Sequence, residues 1–509
     1  MMARQIRYLF LLLLAVGIGA LGFFQMFERT ATPPTGTMTW LLIAAAVMFL
    51  VSWALVTKFQ PYANQAVCIC AFMLTALGVL MIARIDREND TAVAERQLMW
   101  LLLALVGFDL LVVFMRDYRV LKRFSYVSMV IGLVLLLSPM VPGLGREANG
   151  SRIWIGIGPY SLQPSEFAKL FLAFFFAGYL FSHRDQLSVG GKKVLGLRLP
   201  RLKDLGPIIV VWVAAMGVLI LQKDLGTSLM FFAMFVAMLY VATDRPSWLV
   251  IGGLAFAVGC VVAAKVFAHV GYRVDAWLHP FDSAIYGRAY GSSYQLVTGI
   301  FGLANGGLTG TGLGNGYPAI TPLANSDFIF SSIGEELGLA GVFVVLVLYL
   351  LIVAIGLLAS MKIKDGFGKL LASGLAFTMA FQVFTVVGGI TLVIPLTGLT
   401  LPFMAAGGSS LVANYLLVAL LVVVSNAANK PEADISSDTF QMEAVAALQE
   451  KNRQRAAAVR QPRSVVSAGT EENGENRSGN PDDSHDASDG ELTDILPPTT
   501  GWPTTGGAR

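Results

Sequence analysis

The chemistry in this chain starts from a few carboxylates and cations set among apolar residues. In the polar stretch 269–327 only two acids precede Asp327: Asp275 in YRVDAWLHP, and Asp282 in FDSAIYGRAYGSSYQ. A lone positioned carboxylate can take a proton from a hydroxyl, a contribution of about 10²- to 10⁴-fold in rate. Asp327, Glu335 and Glu336 follow in SDFIFSSIGEELG, where acids at a helix start also oppose the helix dipole favourably. A second cluster lies in NGSRIWIGIGPYSLQPSEFAK, 149–169. Pro164 suits the first turn of a helix, and Glu166 and Lys169, spaced i and i+3, share one helix face. That pair reads equally well as a structural ion pair and as a polar site facing a lipid headgroup.

The elements that position these groups are membrane helices. With 55% hydrophobic and 14% charged residues and a mean hydropathy of +0.66, the chain has too little charge to coat a water-soluble surface. Windows of roughly 20 apolar residues, the length that crosses a bilayer as helix, start near Tyr8, Trp40, Asn64, Gln97, Tyr126, Glu166, Gly206, Thr227, Trp248, Phe328, Leu370 and Gly408. This predicts an all-α polytopic membrane protein of about twelve transmembrane helices, with a large extracellular loop between helices 9 and 10. The first window lacks a small-residue cleavage site and is expected to be a retained helix.

Lysines and arginines gather at 116–123, 184–203 and 362–369, all on one side of such a bundle. The positive-inside rule makes that side the cytoplasm, with both termini there and segments 143–165, 269–327 and 390–407 outside. The loop 84–96, with Arg84, Arg87 and Arg96, dissents mildly. The net charge of +3 is small and tied to topology, so nucleic acid is not an expected partner. Cys68, Cys70 and Cys260 fall in apolar windows and are expected to pack as small hydrophobes. A helix is possible over 432–463. From Glu471 to Asp494 nine acids face one arginine among Gly, Ser, Asn and Pro, a composition that predicts disorder.

Gly302, Gly306, Gly307, Gly310, Gly312, Gly314 and Gly316 allow close backbone approach but do not form a nucleotide-binding GxGxxG. The segment 387–410 has prolines and glycines that break helix at the membrane edge, predicting an external re-entrant wall. Polar groups near helix ends favour chemistry at the outer interface, whereas a transporter would place ionisable groups near the midplane.

Five separated segments, QPSEFAK, KDLGTS, GTGLGNG, SDFIFSSIGEELG and GLTLP with GGSS, resemble the SEDS family (shape, elongation, division and sporulation) over roughly 98–425. The resemblance implies a ten-helix core at 98–428, additional N-terminal helices within 1–97 and a cytoplasmic tail at 429–509. It also implies a peptidoglycan glycosyltransferase that polymerises lipid II into β-1,4 glycan at the outer face during elongation. The expected mechanism is inverting, and the expected partners are a class B penicillin-binding transpeptidase and other elongation proteins. Asp282 is the implied general base because it follows the Trp-Leu-x-Pro turn, and Asp275, which precedes it, is the rival. Substrate-binding roles fall to Arg152, Glu166, Lys169, Arg273, Gln295 and Asp327. A divalent cation, Mg or Mn, is a candidate cofactor, its ligands unassigned; no organic cofactor is expected. Ala405 and Ala406 where the family often has Ser-Tyr, and Thr397 where the division branch often has Lys, favour the elongation branch. A lipid II flippase and a non-catalytic scaffold are the competing readings.

Overall fold

The computed structural model describes residues 2–30, 33–148, 151–158, 160–184, 193–194, 197–198, 202–431 and 448–451. Residues up to 431 form one contact unit. Of the second, 448–451 is helical, and the rest of the segment expected at 432–463, like the acidic tail, lies outside the described residues.

Every apolar window becomes a helix. These are α1 (Met2–Thr30), α2 (Gly36–Phe59), α3 (Ala66–Asn89), α4 (Val93–Phe114), α6 (Ser125–Leu137), α7 (Pro164–Ser182), α8 (Leu202–Leu221), α9 (Leu225–Thr243), α10 (Ser247–Val266), α14 (Ile329–Lys362), α15 (Gly366–Ile390) and α16 (Gly408–Asn429). Among the described residues ten of them are long and apolar enough to cross a membrane, while α6 and α8 lie in the shorter apolar stretches Ser125–Met140 and Ile209–Leu221. Lipid replaces water around such a bundle, so the helices hold together by close packing and internal polar contacts. At its centre the Tyr415 hydroxyl on α16 meets the Thr75 hydroxyl on α3 at 2.9 Å, ringed by Phe72, Phe108 and Phe403. The outlying α10 is only 6% buried over its apolar window.

The two ends of the bundle differ chemically. At one end short connections carry the cations: α5 (Val120–Arg123) lies there, Tyr118 and Arg119 reach Asp365, and Lys122 sits over the Phe181 ring. Asp365 also caps α15 by accepting from Gly368 N at 2.9 Å.

The opposite end carries the three long polar segments. Residues 145–162 form a three-stranded antiparallel sheet in the order β1 (Gly145–Ala148), β2 (Ser151–Ile157), β3 (Tyr160–Leu162), with Gly145 opposite Ile155 and Ile155 opposite Leu162. The alternating isoleucines 153, 155 and 157 are the period-2 signal behind it. The long stretch before α14 contains three helices, α11 (Ala268–Leu278), α12 (Ser283–Tyr286) and α13 (Tyr294–Gly306). Residues 391–407 run without regular helix and bind the others: Arg273 and Trp277 on α11 donate to Leu396, Thr397 and Leu392 carbonyls, and Ala406 N donates to Asn325 O at 2.8 Å.

Candidate active site

Glu166 and Lys169 begin the site on α7. Pro164 stands in the first turn, where its missing N–H costs no helix bond, and Ser165, Glu166 and Lys169 behind it are buried in the bundle. Lys169 is 1% exposed. Its Nζ donates to Glu166 Oε2 at 2.6 Å, Asn414 Oδ1 at 3.1 Å and Gln382 Oε1 at 3.2 Å. An ammonium has three N–H groups, and all three are used. The partners come from α7, α15 and α16, and Gln382 continues to Thr400 O while Asn414 reaches Ser410. Lys169 thus ties three helices beneath the 391–407 wall, with no donor left for a headgroup.

Beside this network lies the turn between α8 and α9, part of the KDLGTS segment that carries the family resemblance, although none of its residues was assigned a site role from sequence. Asp224 caps α9, Oδ1 accepting from Thr227 N at 3.0 Å, while its buried Oδ2 has no hydrogen-bond partner. Burial raises its carboxyl pKa, nearby Glu166 adds to the rise, and Arg273 opposes it. The preceding Lys223 is exposed and holds a left-handed backbone, φ 59°. The readable signal was Asp-x-x-Thr at a helix start, an N-cap pattern.

Arg273 on α11 is fixed through Nη1, which donates to Thr397 O at 2.8 Å and Leu396 O at 3.1 Å. Desolvation lowers its pKa, an effect that Asp327 and Asp224 counter. Asp327 is half-buried just before α14, and burial pushes its carboxyl up to about 6 against the opposing pull of Arg273. Arg273 therefore stands electrostatically between two acids from distant parts of the chain.

The two loop carboxylates part company. Asp275 pairs with Arg288 at 3.1 Å, and that guanidinium also lies over the Tyr272 ring. Asp282 is exposed at the N-cap of α12, its Oδ1 accepting from Ala284 N at 2.9 Å, with no cation within 4 Å among the described residues. Gln295 donates to Pro322 O at 2.9 Å and so braces α13 against the segment leading to Asp327. Arg152 on β2 is half exposed and lies 3.9 Å from Glu147.

The glycine-rich loop is wrapped around two buried acids. Gly314 N donates to Glu336 Oε2 at 3.0 Å and Tyr317 N to Glu335 Oε1 at 2.9 Å, while Arg84 on α3 pairs with Glu336 at 3.0 Å and donates to Gly316 O at 2.8 Å. Gly310 and Gly338, at φ 84° and 66°, let the loop backbone touch the α14 kink, where any Cβ would collide. Arg84 belongs to the loop that dissented from the charge rule, and its burial against Glu336 is the reason: it is a packing cation.

A cleft of about 180 Å³ opens among Ser151, Lys223, His269, Tyr272, Arg273, Tyr290 and Gly291. Asp282 does not line it, although its loop supplies Tyr290 and Gly291. Among the described residues no three His, Cys, Asp or Glu side chains are grouped to hold a metal ion.

A family model described as cell cycle protein, covering FtsW, RodA and SpoVE, matches residues 64–430, which takes in α3 to α16 and ten of the twelve apolar helices. That match begins ahead of the core boundary expected at 98. The peptidoglycan glycosyltransferase RodA of Mycobacterium tuberculosis is 43% identical over 383 residues, covering 74% of this chain and 81% of that protein. Stage V sporulation protein E of Bacillus subtilis is 31% identical over 370 residues, covering 70% and 95%. Among solved structures, a chain of a peptidoglycan synthase complex that coordinates polymerization and crosslinking matches with TM-score 0.58 and 27% identity, over 72% of this chain and 99% of that one. The Thermus thermophilus rod shape determining protein RodA matches in fold, with TM-score 0.50 at 24% identity, over 72% and 98%.

Proposed function

The chain belongs to the FtsW/RodA/SpoVE family of cell cycle proteins and is a multi-pass membrane peptidoglycan glycosyltransferase of the elongation type; from that premise we propose that it polymerises lipid II into β-1,4 glycan at the outer face of the membrane, with Asp282 as general base. The observation that carries the reading is that Arg273, tied to the 391–407 wall, stands in charge between Asp224 and Asp327 at the bundle end opposite the basic loops, the end that also carries the Asp282 loop. By the positive-inside rule that end faces outward and both termini face the cytoplasm.

Asp282 suits a base because it is accessible and free of a cationic partner, so its lone pairs can meet an incoming sugar hydroxyl. The acceptor O4–H bond then gives its proton to the carboxylate as O4 attacks the donor anomeric carbon from the face opposite the diphosphate, so the configuration inverts. Arg273, rigidly held, supplies positive charge near the leaving side. Glu166 and Lys169 serve by fixing the floor of the site, and Gln295 and Arg152 flank it. Among the described residues no His, Cys, Asp or Glu side chains are grouped in threes, so a divalent cation would take most of its ligands from the diphosphate oxygens and water. The peptidoglycan synthase complex among the structural relatives supports a class B penicillin-binding transpeptidase as partner.

One observation favours a second reading of the base. Asp327, pushed up to about 6, is better matched to proton transfer near neutral pH. The test is glycan synthesis from labelled lipid II by the purified protein with its transpeptidase. Polymer formation supports the enzyme; lipid movement across vesicles without polymer would favour a flippase, and neither would favour a scaffold.

A further inference from the structure

We propose that the cleft between the α8–α9 turn and α11 is a binding site for the diphosphate group of a polyprenyl-linked substrate or product. The inference rests on the glycosyltransferase reading and deepens it by giving the leaving group a place. Among the described residues no carboxylate and no aliphatic residue lines the cleft, which is formed by Lys223, Arg273, His269, Ser151, Tyr272, Tyr290 and Gly291. At about 180 Å³ it is smaller than the ~300–1,000 Å³ of sites for drug-sized ligands. It therefore fits a compact headgroup and excludes the disaccharide.

Two independent features suit the cleft to an anion. His269 Nε2 is buried without a hydrogen-bond partner, a condition that native structures resolve with a ligand or solvent atom. Arg273 spends only Nη1 on the Leu396 and Thr397 carbonyls, and no described residue accepts from Nη2. Other cations are less suited: Lys169 has committed all three donors, and Arg152 stands half exposed beside Glu147.

In the transfer step the donor C1–O bond breaks, its electron pair passes to the diphosphate oxygen, and the new C1–O4 bond forms as the acceptor proton leaves for the general base. Fixed donors around that oxygen stabilise the charge as it develops. An anionic phospholipid headgroup shares this phosphate chemistry, so the test must separate the two sources.

Farnesyl diphosphate is titrated into the full chain in detergent and followed by ³¹P NMR, with Lys223→Asn, which tolerates the left-handed backbone, and His269→Phe, which keeps the ring. The proposal expects saturable binding to the unaltered protein, at least tenfold weaker binding in each variant with unchanged melting temperature, and no competition from phosphatidylglycerol. Unchanged affinity in both variants, or equal competition by phosphatidylglycerol, would overturn it. Lipid II polymerisation is measured on the same preparations. Polymer without diphosphate binding sinks the cleft alone, whereas binding without polymer supports the cleft and sinks the glycosyltransferase reading.

Discussion

Arg288 Nη1 lies 3.1 Å from Asp275 Oδ2, so one of the two loop carboxylates is already engaged by a cation while Asp282, seven residues on, is not. This relationship separates two acids that spacing alone left open. Because both partners are substantially exposed, the pair contributes only about 0–1 kcal/mol. Asp275→Asn is therefore expected to keep the melting temperature nearly constant and to lower polymerisation by less than about tenfold, below the ~10²- to 10⁴-fold contribution of a general base, as measured by glycan ladders on gels. A loss comparable to removal of the base would transfer that role to Asp275.

Lys169 makes the contrasting prediction. Lys169→Met leaves Glu166 buried without its cation, which costs about 3–5 kcal/mol, and replacing both partners with apolar residues recovers much of it. Thermal unfolding in detergent should show a large loss for the single change and partial recovery for Glu166→Leu/Lys169→Met. If Lys169 instead held substrate, the single variant would fold normally and lose only activity.

The glycine-rich loop depends on Arg84 in the same way. Removing the guanidinium in Arg84→Met strips Glu336 of its partner and the loop of its bond to Gly316 O. Limited proteolysis should then cut within 310–317 at least several-fold faster than in the unaltered protein. An unchanged cleavage rate would mean that Glu336 and the backbone hold the loop unaided.

Asp327 gives a pH dependence whose sign is fixed. Its carboxyl titrates at about 6 in the folded chain against an ordinary 3.8, so between those values the folded state keeps a proton the unfolded state has released. Stability from this group is full below about pH 4 and is lost as pH rises through 6. Asp327→Asn should match the unaltered melting temperature near pH 4 and exceed it near pH 7. Parallel curves for the two proteins would contradict the assignment.

The helices were legible because bilayer thickness imposes a long apolar window, and each of the twelve windows is helical here. The sheet at 145–162 was less so, since its isoleucine alternation is short and sits beside Pro164, which reads as a helix start. The Glu166–Lys169 pair was visible in its spacing, yet its partners Gln382 and Asn414, more than two hundred residues away, were not. Lys223 stood in the KDLGTS motif and His269 in no motif, yet neither was assigned a site role, because a cleft formed by separated segments exists only after folding. Arg84 looked like an orientation signal and proved to be a buried pairing partner, a distinction that charge counting cannot make.

In the proposed reaction Asp282 takes the acceptor proton during glycan polymerisation. Its most direct measurement is the rate of strand synthesis from labelled lipid II by purified Asp282→Ala protein, with the transpeptidase partner present and the melting temperature recorded alongside. A fall of at least about 10²-fold with folding intact is the predicted result. Strand synthesis at the unaltered rate, or its loss only in Asp327→Asn, would contradict it.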